Sequence, residues 1–275
     1  MNDVSPEKAL ASAVDAAKAA GAIMRKNLTA KKKANEITSH DIKLELDVRC
    51  QKLIERKLHT AFPQISLLGE EGEAGEPNAE YRWVVDPIDG TVNFAHGIPH
   101  ASVSIALQQR VEGRHEGGAR RKLITHHSSH VTLLGVVYDP FQDELWTAIR
   151  GQAARMNGRV IRVSNHRKLK QCIVSIGFAK NRSNLERALP YFTWIARRVQ
   201  KIRMLGSAAL ALTYVANGRL DAYIERGISL WDIAAGGLIL ECAGGKFWHE
   251  ATHGPHKFRM IASNGWVHKK LPLPK

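Results

Sequence analysis

Apolar residues recur at helical spacing near the start of the chain and at strand-like spacing through much of the rest. Leu10, Val14, Ala17, Met24 and Leu28 form a stripe with a period near 3.6, which predicts a first helix. Ser5-Pro6-Glu7 opens it: serine caps free amides, proline fits the first turn and glutamate meets the positive end of the dipole. Lys31-Lys32-Lys33 closes that segment. Cys50, Leu53, Ile54 and Leu58 set the period of a second helix over 47–59, ended by Phe62-Pro63. Short apolar or alternating runs then predict strands at 65–68, 82–86, 102–107, 132–138, 144–148 and 172–176. Asn157-Gly158 predicts a hairpin turn. Helices are expected over 183–200, over 207–216 before Asn217-Gly218, and over 233–242 before Gly244-Gly245. Strands are expected at 220–225 and 258–262. Strands and helices mix without a strict βαβ rhythm, which favours a layered α/β or α+β fold over a barrel. No internal repeat is evident.

One segment breaks this rhythm. Residues 108–131 separate two predicted strands, and connections longer than about 12–15 residues are uncommon in compact domains. The segment holds Arg110, Arg114, Arg120, Arg121 and Lys122 against Glu112 and Glu116, and also His115, His126, His127 and His130.

Composition narrows the class. The 275 residues are 44% hydrophobic, enough for a sizeable core without disulfide or metal staples. Apolar runs are too short to span a membrane, and the first residues lack a basic stretch followed by an apolar one. Cys50, Cys172 and Cys242 are odd in number and far apart, which reads as reduced thiols and a cytoplasmic protein. The net charge of +14 points to nucleic acid, an acidic surface or an anionic substrate, and does not choose among them.

Against that basic background, carboxylates gather at three places. Glu70-Glu71 follows the strand at 65–68, Asp86-Pro87-Ile88-Asp89-Gly90-Thr91 follows Trp83-Val84-Val85, and Trp231-Asp232 opens a helix. Carboxylates at strand ends repel one another unless cations neutralise them, and hard divalent ions with oxygen ligands are the natural partner. Pro87 stiffens the turn, so Asp86, Asp89 and the Ile88 carbonyl can face one volume. Gly90 permits close approach of a ligand, and amides near Thr91 can hold a phosphate. The competing reading is a surface turn with a helix cap, and the spacing alone leaves both open.

The two longer acidic motifs resemble the paired signatures of the inositol monophosphatase family. Residues 83–94, Trp-Val-Val-Asp-Pro-Ile-Asp-Gly-Thr-Val-Asn-Phe, resemble the first, and 231–236, Trp-Asp-Ile-Ala-Ala-Gly, the second. Gly69-Glu70-Glu71 is similar to the family's glutamate motif. Weaker matches run from residue 9 to 265 outside 108–131, closest to the bacterial inositol-1-monophosphatase branch.

This resemblance implies an α-β-α-β-α sandwich of the inositol monophosphatase and fructose bisphosphatase type, spanning 1–275 as one catalytic domain with a basic insertion at 108–131. It implies a Mg²⁺-dependent phosphatase, often a homodimer, that hydrolyses inositol monophosphate or a related sugar phosphate by direct attack of water. Glu70, Asp86 and the Ile88 carbonyl would hold one ion; Asp86, Asp89 and Asp232 would hold a second. Glu70 with Thr91 would activate the water, and Gly90 and Thr91 would offer amides to the phosphate. Asp89 and Asp232 would thus sit against substrate as well as metal, Ser207 and Ala208 would line the pocket, and Glu225 would accept from a ring hydroxyl. Asp47 would assist a third ion through water, or else cap its helix. Here Leu44 and Leu46 stand where the family commonly has threonines.

Sibling activities on fructose 1,6-bisphosphate, histidinol phosphate or 3′-phosphonucleotides are the enzymatic alternatives. An RNA- or RNA-polymerase-associated factor that keeps the phosphatase fold is the alternative from another class, motivated by the charge. His126 and His130, four apart, lack the further ligands that zinc needs. The 110–122 stretch reads as a surface loop or a partner site, and Cys242 as a core residue.

Overall fold

The computed structural model describes residues 4–30, 34–37, 42–76, 79–111, 130–177 and 182–272. The first helix, α1 (Pro6–Asn27), begins as its cap predicts, with Ser5 Oγ accepting from the Lys8 amide at 3.4 Å. Its buried face is Ala9, Ala13, Ala16, Ala17, Ala20, Gly21 and Met24, small enough to lie close to its neighbours. A pair of short strands, β1 (Ala34–Ile37) and β2 (Ile42–Leu44), leads into α2 (Glu45–Ala61). Strands β3 (Ser66–Gly69), β4 (Gly72–Ala74) and β5 (Tyr81–Asp89) follow, then the short helix α3 (Thr91–Ala95). The chain continues through β6 (Ser102–Arg110), β7 (His130–Asp139), β8 (Glu144–Ile149), β9 (Arg155–Met156) and β10 (Arg159–Val160). The remaining elements are β11 (Ile173–Ile176), α4 (Arg182–Ala196), β12 (Lys201–Arg203), α5 (Ala208–Ala216), β13 (Ala222–Ser229), α6 (Leu230–Cys242), β14 (Lys246–Ala251) and β15 (Lys257–Ser263).

These form an eight-stranded sheet ordered β10-β9-β8-β7-β6-β5-β3-β4 and a five-stranded sheet ordered β12-β11-β13-β15-β14. One face of the larger sheet, with Trp83, Val85, Ile105, Leu107 and Val136, packs on α1 and α2. Its other face, with Leu68, Val84, Ala106 and Val137, shares a core with α5, α6 and the smaller sheet. Because both faces are covered, these strands read as continuous apolar runs. The far face of the smaller sheet packs on α4 through Val174, Ile224 and Ile195. The layers are therefore α-β-α-β-α, the sandwich that the sequence implied.

Helix α6 is pressed against β7. A Cβ on Gly135 would come within 2.7 Å of the Ala235 carbonyl, so only glycine admits the helix at this distance. Gly236 and Gly237 do the same for Leu212 and Phe247.

The expected long connection at 108–131 is corrected at both ends. Strand β6 runs on to Arg110 and β7 begins at His130, with Arg110 opposite His130. Gln108 and Gln109 look like loop residues but bond the side chains of Thr132 and Tyr81 at the sheet surface. Residues 112–129, with His115, His126, His127 and most of the 110–122 basic stretch, lie outside the described residues.

Candidate functional site

The site begins with an irregularity in β5. Asp86 lies opposite Ser104 and Asp89 opposite Ser102, so three steps on one strand match two on the other. In a regular strand, residues three apart point to opposite faces; a bulge re-aims one of them. Pro87 and Ile88 occupy the bulge, and the Ile88 amide is satisfied by Asp86 Oδ1 at 3.0 Å. Both carboxylates thereby turn toward α6, whose first turn carries Asp232. Oxygens of Asp86, Asp89 and Asp232 all lie within 4.8 Å of one another. Asp86 and Asp89 are buried and Asp232 is half-buried.

Each member is held by backbone or hydroxyl donors. Asp232 Oδ2 accepts from the Ser229 amide at 2.9 Å, which caps α6. Asp89 sits at the N-terminus of α5: its Oδ1 accepts from the Ala208 amide at 3.0 Å and its Oδ2 from the Ala209 amide at 2.9 Å. Ser207 Oγ and Ser102 Oγ also donate to Asp89. Burial, followed by the charges of Glu70, Asp89 and Asp232, holds Asp86 well above the ordinary carboxylate range. Burial and then Asp232 push Asp89 up to about 6, against the opposing pull of its donors. Buried, mutually repelling carboxylates are the donor set that a hard cation relieves.

The flanking residues are placed as follows. Glu70 follows β3, its amide on the Val85 carbonyl at 3.1 Å, near enough for its charge to act on Asp86. Gln51 of α2 supports that turn, donating to the Gly72 carbonyl and accepting from the Glu71 amide. Gly90 has φ of 95°, and a Cβ there would meet the His100 and Gly206 carbonyls. Thr91 Oγ1 donates to the Ile88 carbonyl at 2.9 Å, so both oxygens share one edge of the site. Asn93 ties this turn to the start of α5 by donating to the carbonyls of His100 and Leu205.

Ser207 and Ala208, expected to line the substrate pocket, give their side-chain hydroxyl and backbone amide to Asp89. Asp47 is buried, and its Oδ2 accepts from the Leu44 amide at 2.6 Å, the capping role weighed against metal binding. Glu225 stands on β13 and accepts from the Tyr223 hydroxyl. Sequence reasoning missed Tyr223, although its i, i+2 spacing from Glu225 places both on one face of a strand. The Tyr223 hydroxyl is held well above its ordinary pKa by burial and then by Glu225, with Asp89 and Asp232 adding to it. His130 is pushed down to about 4, first by burial and then by Arg82 and Arg110, surroundings that oppose a metal ion. Cys242 packs beside the core with Sγ against the Ile149 carbonyl, as a core thiol should.

Comparison with known proteins agrees with this arrangement. The profile of the Inositol monophosphatase family matches residues 5–119 and 123–273. The chain is 36% identical over 247 residues to a Nus factor SuhB of Pseudomonas aeruginosa, covering 86% of this chain and 83% of that protein. It is 37% identical over 216 residues to an inositol-1-monophosphatase of Rhizobium meliloti, covering 78% and 73%. Among solved structures, the extragenic suppressor protein suhB of Bartonella henselae superposes with a TM-score of 0.82 at 32% identity, covering 95% of each chain. The inositol monophosphatase of Anabaena superposes with a TM-score of 0.77 at 34% identity, covering 95% of this chain and 92% of that one.

Proposed function

Because the chain belongs to the inositol monophosphatase family, whose members are phosphatases acting on phosphate monoesters, we propose that it is a Mg²⁺-dependent phosphatase for inositol monophosphate or a related small sugar phosphate. The observation that carries this reading is the convergence of Asp86, Asp89 and Asp232 at the bulge of β5 and the start of α6. Hard oxygen donors held together at raised pKa fit Mg²⁺. Glu70 and the Ile88 carbonyl would extend the set toward two ions, and Asp47, whose Oδ2 caps α2, would assist a third only through water. Bound there, the cations would screen the ester's charge and acidify a water molecule.

The chain's own groups supply the rest. Glu70 takes the proton from the attacking water, and the Thr91 hydroxyl, fixed on the Ile88 carbonyl, orients it. The amides of Gly90 and Thr91 receive the phosphate oxygens. Ser207, Ala208 and Ala209 lock the Asp89 carboxylate in place, so its orientation does not change when substrate arrives. Glu225, backed by the Tyr223 hydroxyl, accepts from a ring hydroxyl of the substrate. No nucleophilic side chain is required: water attacks phosphorus in line, the opposite P–O ester bond breaks, and the departing alkoxide takes up a proton from water. The site draws on residues 70–91 and 207–232, which supports reading 1–275 as one catalytic unit. The homodimer and the cytoplasmic setting implied by sequence are part of the same proposal; among the described residues, no helix is long and apolar enough to cross a membrane.

A panel of phosphate monoesters tests this reading, with phosphate release measured with and without Mg²⁺. Inositol 1-phosphate should be turned over fastest, and only with Mg²⁺. Faster release from fructose 1,6-bisphosphate, histidinol phosphate or a 3′-phosphonucleotide would move the assignment to a sibling activity. No release from any ester would end it.

A second reading, association with RNA or RNA polymerase, is supported by the +14 charge and by the relatives named Nus factor SuhB. Salt-dependent binding of an unstructured RNA checks it.

A further inference from the structure

The excess positive charge is not spread evenly. Three stretches, 164–171, 197–203 and 265–272, together hold nine lysines and arginines and no aspartate or glutamate. The topology brings all three to one end of the five-stranded sheet. Strands β11 and β12 run parallel, so the residues that precede each emerge at the same end. Strand β15 runs antiparallel to β13, and β13 parallel to β11, so the residues that follow β15 emerge there too. Direct contacts fasten the stretches together. Lys270 Nζ donates to the Arg167 carbonyl at 2.6 Å, and the Gln200 amide donates to the Cys172 carbonyl at 2.9 Å.

Elsewhere several cations meet acids: Lys57 pairs with Asp15, Arg150 with Glu241, Arg219 with Glu144 and Arg259 with Glu250. On this face, Arg167, Lys168 and Lys170 are exposed, as are Lys201, Lys269 and Lys270. None of these six forms an ion pair among the described residues. An acid at this end, Asp221, is buried and already bonds Ser164, His166 and the Ile173 amide, so the exposed cations repel one another, and a polyanion relieves that repulsion. The face also offers flat surfaces. Trp266 is 52% exposed, with the Arg167 guanidinium 4.0 Å from its ring centroid. Arg198 stacks on Trp194 at 4.3 Å. Bases of an unpaired strand stack on such rings and guanidinium planes while the phosphates meet the lysines.

We propose that this end of the five-stranded sheet is a binding face for single-stranded RNA. The proposal takes its class of partner from the second reading above and adds the surface. It is separate from the catalytic site. Strand β13 starts at the basic end with Ala222 and finishes at Ser229, the cap of the helix that carries Asp232. Those ends are about 23 Å apart at the usual rise per residue. RNA on the basic face therefore leaves the carboxylates open.

The test is fluorescence anisotropy of a labelled twelve-nucleotide oligouridine with the full-length protein, over a range of salt. The triple variant Lys168→Glu, Lys170→Glu, Lys269→Glu should bind at least tenfold more weakly at low salt. Its dependence of log Kd on log salt should be shallower by about two, since each lost phosphate contact removes roughly 0.7. A control of equal net charge, Lys18→Glu, Arg155→Glu, Arg159→Glu, alters exposed cations elsewhere and should bind nearly as wild type. Trp266→Ala should weaken binding and leave the salt slope unchanged. Equal losses in both triple variants would overturn the surface and leave the RNA reading standing. No binding by wild type, or binding only to phosphatidylserine vesicles, would overturn both. Phosphate release by the patch variant, measured in parallel, should match wild type, which separates this outcome from that of the phosphatase reading.

Discussion

At Asp89, donors from two distant parts of the chain meet one carboxylate. Ser102 lies on the neighbouring strand, while Ser207, Ala208 and Ala209 lie at a helix start 118 to 120 residues away. These donors favour the charged form, yet burial and Asp232 outweigh them and push Asp89 up to about 6, from an ordinary value of 3.8. A raised pKa means that the folded chain holds the proton more tightly than the unfolded chain. The stability this group provides is therefore complete at acid pH and is lost as pH rises from about 4 to about 6. The loss is on the order of 3 kcal/mol. Asp89→Asn should flatten this fall. Urea midpoints measured in EDTA across pH 4 to 7 should decline less for the variant than for wild type; equal declines would place the titration elsewhere. The same substitution should lower Mg²⁺-dependent phosphate release by more than about a hundredfold, because a carboxamide lacks the ligand's charge.

Among the elements, α6 and β5 set the geometry together, and their contact runs through the sheet. The Gly135 position leaves no room for a methyl group against Ala235. Gly135→Ala should cost about 1–3 kcal/mol by overpacking. It should also weaken Mg²⁺ binding, since it pushes outward the helix that bears Asp232; titration calorimetry and urea unfolding check the two effects. Elements of this kind were legible in sequence. The runs through 82–89 and 230–242 are apolar because both sides are buried, and their ends carry the acids. The edge strands β4, β12 and β14 were not legible, because Gly72–Ala74, Lys201–Arg203 and Lys246–Ala251 mix charged with half-buried positions. Nor was the bulge in β5: sequence reasoning assigned the shared direction of Asp86 and Asp89 to a proline-stiffened turn, and pairing with β6 produces it. The grip of Ser207 and Ala208 on Asp89 leaves no local trace, because its partners are more than a hundred residues apart.

For the whole molecule, charge is divided by place. A compact acidic site lies between the two sheets, and an exposed basic face lies at one end of the smaller sheet. If the acidic site holds cations as proposed, they should stabilise the folded chain. Mg²⁺ at a hundred times its Kd should stabilise the protein by about 2.7 kcal/mol at one site, and EDTA should remove that gain. Because protons compete for the same carboxylates, the rise in Tm on adding Mg²⁺ should be larger at pH 7.5 than at pH 5. Scanning calorimetry at the two pH values checks this; an equal rise at both would mean that the ions bind elsewhere.

The span of the Asp89–Ser207 contact also bears on the order in which the chain assembles. Contacts between residues far apart in sequence carry a large loop-closure cost and form slowly. Helices α1 and α2 and the pair β6 and β7 close over shorter spans, whereas the carboxylate site exists only once β5 and the start of α5 have met. Catalytic competence should therefore be the last property recovered on refolding. After dilution from urea into Mg²⁺, far-ultraviolet ellipticity should return before phosphatase activity, and the interval between them measures the time β5 and α5 take to meet.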